Sequence, residues 1–183
     1  MFVWIVSSLL SIAHAEAPEG WLLAGSAPND YEVELVSEAR SGAASAKYFS
    51  KGKAKEDGFG TLMQNMQAVD YEGHRVRMSA WVKAEEVSNW AGLWLRVDGG
   101  KARSLSFDNM EDRPITGTQD WTKHEIVLDV PNGATNIAFG ILVAGEGTVW
   151  LDDLSFEIVP ETVEQTGVMA KVPYEVVNGS FED

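Results

Sequence analysis

Arg75-Val76-Arg77-Met78-Ser79-Ala80-Trp81-Val82-Lys83 is the stretch that decides the fold. Val76, Met78, Ala80 and Val82 share one parity; Arg75, Arg77, Ser79, Trp81 and Lys83 share the other. A period of two marks a half-buried strand, because successive side chains point to opposite faces of a sheet. Gly92 to Asp98 repeats the pattern, with Leu93, Leu95 and Val97 against Trp94, Arg96 and Asp98. Outward from these two segments the chain reads as further short strands. On the N-terminal side they are Asp30 to Val36, Ala43 to Ser50 and Gly58 to Met66. On the C-terminal side they are Arg103 to Phe107, Trp121 to Val130, Thr135 to Ala144 and Thr148 to Val159. Turns stand between them at Ser41-Gly42, Gly99-Gly100, Pro131-Asn132-Gly133 and Gly145-Glu146-Gly147, and a longer loop runs from Asp108 to Asp120. No segment keeps a helical period over three turns. Regular strand signals with Gly-rich turns predict an all-β sandwich of about eight to nine antiparallel strands.

The chain of 183 residues is long enough for one domain with a real core. Its formal charge of −14 makes phosphate backbones and anionic lipid surfaces poor partners, and leaves neutral ligands and cations open. There is no cysteine, hence no disulfide framework and no thiolate metal site. The apolar run Met1 to Ile12 ends in Ala13-His14-Ala15, and Glu16-Ala17-Pro18-Glu19 turns abruptly polar. This reads as a signal peptide over residues 1–15, too short to span a bilayer, and predicts a secreted or periplasmic protein that is not inserted in a membrane after cleavage. The jelly-roll body is expected over 16–159, a linker over 160–173, and a further strand over 174–183.

Several motifs carry a resemblance. Gly145-Glu146-Gly147-Thr148-Val149-Trp150-Leu151-Asp152-Asp153-Leu154 resembles the closing strand of the galactose-binding-like jelly rolls, the fold of many secreted bacterial carbohydrate-binding modules. Gly20-Trp21, Ser41-Gly42-Ala43-Ala44-Ser45, Met78-Ser79-Ala80-Trp81-Val82-Lys83 and Gly117-Thr118-Gln119-Asp120-Trp121-Thr122 resemble other segments of that fold, in the same order. The resemblance implies a jelly roll and sugar binding. One departure stands out. The string typical of the opening strand is at the other end, as Asn178-Gly179-Ser180-Phe181-Glu182-Asp183. Either this last strand completes the same sandwich, or it begins a second module. Trp94-Leu95-Arg96-Val97-Asp98, with Leu105 to Ile115 after it, also resembles small bacterial domains attached to transcriptional regulators, which implies small-molecule sensing.

The chemistry legible in the sequence is that of binding. Outside the leader the histidines are His74 and His124, and His124 has the parity of a core residue. No histidine pair at metal-ligand spacing, no nucleophile elbow and no phosphate loop occurs. Sugar rings stack their C–H faces on aromatic planes while their hydroxyls need fixed polar partners. Trp81 and Trp94 stand opposite the apolar face of their strands, each beside arginines, so they are either a ligand platform or filling for the sandwich's second side. Asp108, Asn109 and Arg113, following Arg96 and Asp98, suggest one polar patch; the alternative is an Asx turn bonded to its own backbone. The candidate ligand contacts are therefore Trp81, Trp94, Arg96, Asp98, Asp108, Asn109 and Arg113. From the resemblance, Asp153 with Glu182, Ser41 and Gly42 maps onto a structural calcium site, against the alternative of solvated acids. The expected function is an exported, non-catalytic module for a carbohydrate or similar small polar ligand, possessing no required cofactor and open to attachment to other secreted proteins. An interaction or structural accessory domain is the alternative; a glycoside hydrolase or a sensor domain stands further off.

Overall fold

The computed structural model describes residues 17–55 and 57–167, the side chains of Ala102 and Arg103 excepted. Nine strands make up the body: β1 (Leu22–Gly25), β2 (Tyr31–Val36), β3 (Ser45–Ser50), β4 (Phe59–Gln67), β5 (His74–Gly99), β6 (Arg103–Asp108), β7 (Ile115–Val130), β8 (Ala134–Ala144) and β9 (Thr148–Val159). All pair antiparallel. The predicted jelly-roll sandwich is what the chain forms.

The two alternating segments that decide the fold are halves of one strand of 26 residues, β5, which belongs to both layers. Its first half, His74 to Glu85, lies between β7 and β9; its second half, Trp90 to Gly99, lies between β6 and β8. One layer therefore runs β1-β4-β8-β5-β6 and the other β7-β5-β9-β3-β2. The pairing register of β5 shifts three times between Val82 and Ala91, and Glu86 sits there at φ 52°. Extra residues bend a strand and let it turn the corner between packed sheets. Bonds from Glu86 N–H to Thr118 Oγ1 and from Ser88 N–H to the Glu146 carbonyl hold the corner.

Between the layers lie Val76, Met78, Ala80 and Val82 from one half of β5 and Leu93, Leu95 and Val97 from the other. Phe139 on β8 meets Phe156 on β9 edge-on at 4.7 Å, so the aromatic contact joins the two sheets. Tyr31 stacks on Tyr48 at 5.6 Å, and a Cβ on Gly60 would overlap the Tyr31 ring and the Tyr48 hydroxyl. The glycine is required there by close approach.

Two sequence expectations are corrected. A short strand, β1, follows Trp21 and pairs with β4, where no strand is read from the sequence. The loop from Asp108 to Asp120 is shorter, because β7 already starts at Ile115 and follows β5 round its corner. The segment from Pro160 is held to the body as far as Thr166: Arg75 Nη1 donates to the Glu161 and Val163 carbonyls, and the Thr166 N–H to the Val127 carbonyl. The segment is irregular and forms no strand, so it leaves no periodicity to read. The leader over 1–15 and the strand over 174–183 lie outside the described residues.

Candidate functional site

The outer face of the β1-β4-β8-β5-β6 layer is built in rows by the pairing register. Phe59, Ala144 and Trp90 form one row; Ala24, Thr61, Leu142 and Gly92 the next; Met63, Gly140 and Trp94 the third; Asn65, Ala138, Arg96 and Phe107 the fourth. The middle strand, β8, contributes mostly small residues, while β4 and β5 on either side contribute large ones. The result is a trough, a cavity of about 560 Å³ walled by Phe59, Trp90 and Phe107. That volume suits a ligand of a few rings.

Trp94 forms its base. Its Nε1–H donates to Thr61 Oγ1 on β4 at 2.7 Å, so the indole lies across β8, packed on Ala138 and Leu142. Thr61 in turn donates to the Ile141 carbonyl at 2.8 Å. Trp94 is only 8 % exposed, whereas Phe107 is 50 % and Phe59 39 % exposed. The bulk of a bound ring would therefore meet Trp90, Phe59 and Phe107 rather than Trp94. Asn109 leans over β5 at Gly92, where a Cβ would come within 2.9 Å of the Asn109 carbonyl oxygen. Asp57 and Asn89 stand at the Trp90 end of the cavity. Arg96 lines the far end, and its Nε and Nη2 grip Asp98, which also accepts from Asn136.

The structure divides the residues proposed from sequence. Trp94, Arg96 and Asn109 line the cavity together, with buried Asp98 behind Arg96. Trp81 does not join them. The corner in β5 puts it on the outer face of the other layer, where the Arg40 guanidinium covers its ring at 4.4 Å. The single polar face read across both segments is thus two faces on two sheets.

Asp108 and Arg113 do not line the cavity either. Asp108, 4 % exposed, pairs in register with inward-facing Leu95 and so points away from the cavity. Its carboxylate accepts from Arg113 Nη2 at 2.6 Å, Arg113 Nη1 at 3.2 Å, the Met110 amide at 2.8 Å and Thr166 Oγ1 at 2.5 Å. Burial pushes its pKa up, but the bonds from Arg113, Thr166 and Met110 outweigh that and hold it below the ordinary carboxylate value. The group folds the Asn109–Arg113 turn and fastens the Thr166 segment. His124 has its pKa lowered by burial and by nearby Arg113, and bonds Gln119 at 3.1 Å, as fits a structural histidine.

The calcium expectation finds two of its residues together: Ser41 Oγ donates to Asp153 Oδ1 at 2.6 Å. Asp152 is already taken by the Arg40 and Ser41 amides, and no cluster of three acidic or histidine ligands occurs among the described residues. Calcium takes six to eight oxygens. Gly42 adjoins Ser41 at φ 64°, and Glu182 lies outside the described residues. The described residues alone do not make a calcium site.

Trp90, Phe59, Phe107, Met63 and Leu142 are absent from the residues proposed from sequence. The signal that finds them is the unbroken apolar run Ile137 to Ala144 in β8. An antiparallel strand with only one apolar face alternates with polar residues. Ala138, Gly140, Leu142 and Ala144 instead mark an outward face that is apolar and mostly small.

No family model matches the chain. The uncharacterized HTH-type transcriptional regulator YbfP of Bacillus subtilis is 39% identical over 170 residues, a match taking 90% of this chain and 57% of the regulator. The chain thus spans little more than half that relative's length, in agreement with the resemblance of the Trp94–Asp98 string. Among solved structures, the CBM22-1 xylan-binding domain of Paenibacillus barcinonensis Xyn10C superposes with a TM-score of 0.56 at 16% identity, covering 80% of this chain and 90% of that one. A family 16 carbohydrate-binding module gives 0.52 at 16%, covering 69% and 86%. The enzymatically active domain of bacteriophage CBA120 tailspike protein 4 gives 0.59 at 11%, covering 77% of this chain and 20% of that one. Such likeness fixes the fold, an all-β jelly roll.

Proposed function

We propose that this domain binds a carbohydrate or a similar small polar ligand in the Trp90–Trp94 cavity and does not transform it. The carrying observation is the trough itself, with aromatic walls, a mostly apolar base and polar side chains at its ends and rim. That division matches a sugar's C–H faces and peripheral hydroxyls. The non-catalytic reading is supported by the lining: Asp57 is the single carboxylate among the described residues that line it, and glycoside hydrolysis uses two across the scissile bond. The test is a panel of oligosaccharides read by tryptophan fluorescence and calorimetry. Trp90→Ala and Phe107→Ala should each weaken the best ligand roughly 5- to 150-fold, the worth of a stacked ring, and leave the melting temperature within a few degrees. Wild-type affinity in both variants would refute the site.

A second reading, ligand sensing within a larger regulator, is favoured by the 39% identity to YbfP. It uses the same cavity and differs in where the protein resides. Our proposal of export rests on the Met1–Ala15 segment.

A further inference from the structure

The base of the cavity has no polar group to spare. Its residues are Ala24, Thr61, Met63, Leu142, Ala144 and Trp94, with Thr61 only 4 % exposed. The indole N–H of Trp94 is spent on Thr61 Oγ1, and the Thr61 hydrogen on the Ile141 carbonyl, both within buried bonds. The polar side chains stand at the ends and along the rim instead: Asp57 and Asn89 by Trp90, Arg96 by Phe107, and Asn109 on the rim beside Gly92. Trp90 and Arg96 are six residues apart on one strand, about 20 Å at the rise of an extended chain. A ligand must therefore lie along the base with an apolar face down and its hydroxyls directed outward in its own plane.

We propose, resting on the carbohydrate reading above, that the cavity selects pyranosides whose ring hydroxyls are all equatorial and rejects those carrying an axial one. A chair with only equatorial hydroxyls presents C–H bonds on both faces. An axial hydroxyl projects from a face, and here it would press onto methyl, thioether and indole carbon, with the Trp94 N–H and the Thr61 O–H already donated elsewhere and no free donor on the base to receive it. Burying an unpaired hydroxyl lowers affinity roughly 5- to 150-fold. Turning the ring over does not free a sugar whose neighbouring rings must also keep their hydroxyls directed toward Arg96 and Asp57.

The experiment is calorimetric titration of the full chain with cellotetraose and xylotetraose against β-1,4-mannotetraose, which has an axial hydroxyl at C2, and β-1,3-galactotetraose, which keeps a free axial hydroxyl at C4 of every ring. The better equatorial probe should bind at least tenfold tighter than either axial one. Met63→Gln, which places an amide on the base at a half-buried position, should narrow that ratio at least threefold. If an axial probe binds as tightly as the equatorial ones while Trp90→Ala still abolishes binding, the site stands and the stereochemical inference falls. An unchanged ratio in Met63→Gln also overturns it. If none of the four binds, the carbohydrate reading falls with it.

Discussion

Replacing Asp108 by Asn tests whether this residue is part of the frame or of the site. The carboxylate is 4 % exposed and collects four hydrogen bonds, two from Arg113, one from the Met110 amide and one from Thr166. Asn keeps the shape, loses the charge and turns an N–H₂ toward groups that are themselves donors. Removing one partner of a fully buried pair costs about 3–5 kcal/mol. The Arg113 side chain is 31 % exposed and regains water, which brings the expected loss to about 2–4 kcal/mol. For a body of this size that is a fall in Tm of about 4–16 °C. Thermal unfolding followed by circular dichroism reads it. The double variant Asp108→Asn with Arg113→Met should lose less than the sum of the two single changes. The sign of the pH dependence follows from the lowered pKa. The native carboxylate binds its proton less readily than the unfolded one, so its contribution is complete above about pH 4 and is lost as pH falls through the native value. The Asn variant should lack that part of the acid destabilisation. Ligand affinity at neutral pH should stay within a few-fold of wild type, since the group faces away from the cavity. A variant melting within 2 °C of the wild type, or one that folds normally and no longer binds, would refute this assignment.

Two further outcomes are expected. Trp94→Ala should destabilise the domain by about 3–5 kcal/mol as well as weaken binding, because the indole is packed on Ala138 and Leu142 and leaves a hole in the sheet's outer layer; a variant as stable as wild type under urea would show that Trp94 is no such support. Expression of the whole chain in a bacterial host, with fractionation and N-terminal sequencing, should recover a protein beginning at Glu16 outside the cytoplasm; an uncleaved chain in the cytosol would favour the sensing reading.

The strands were legible because each half of the sandwich buries one face, and burial of one face writes a period of two into Val76–Val82 and Leu93–Val97. The corner was not. Glu85, Glu86 and Asn89 look like an ordinary polar loop, and nothing local says that the same strand continues into the opposite sheet with its inward residues switched from even to odd positions. Hence Trp81 and Trp94, each opposite the apolar residues and beside arginines, read as one face. Arg96 and Asn109 were found because polar side chains on a strand or at its end are conspicuous. Asp108 and Arg113 were conspicuous for the same reason, yet a charge seen in a sequence does not disclose whether its partner is a ligand or Thr166, 58 positions away.

The walls of the cavity escaped for a reason that bears on its use. Aromatic and aliphatic residues are assigned to the core by default, and the rule holds wherever one face of a strand is polar. In β8 both faces are apolar, and the outward one consists mostly of alanine and glycine. Small residues on a central strand add little to hydrophobic packing, since they bury little area. What they supply is depth: Trp94 stands opposite Gly140 in the register, and its ring N–H reaches across β8 to Thr61 on the strand beyond, while Gly140 itself is required by the close approach of the Leu62 carbonyl. The bond uses up the polar atoms of the base, and the saturated base in turn makes the cavity discriminate by the shape of a ligand's face. A polar residue at Leu142 or a threonine at Ala144 would each leave the sandwich's inner core untouched and change what this surface can hold.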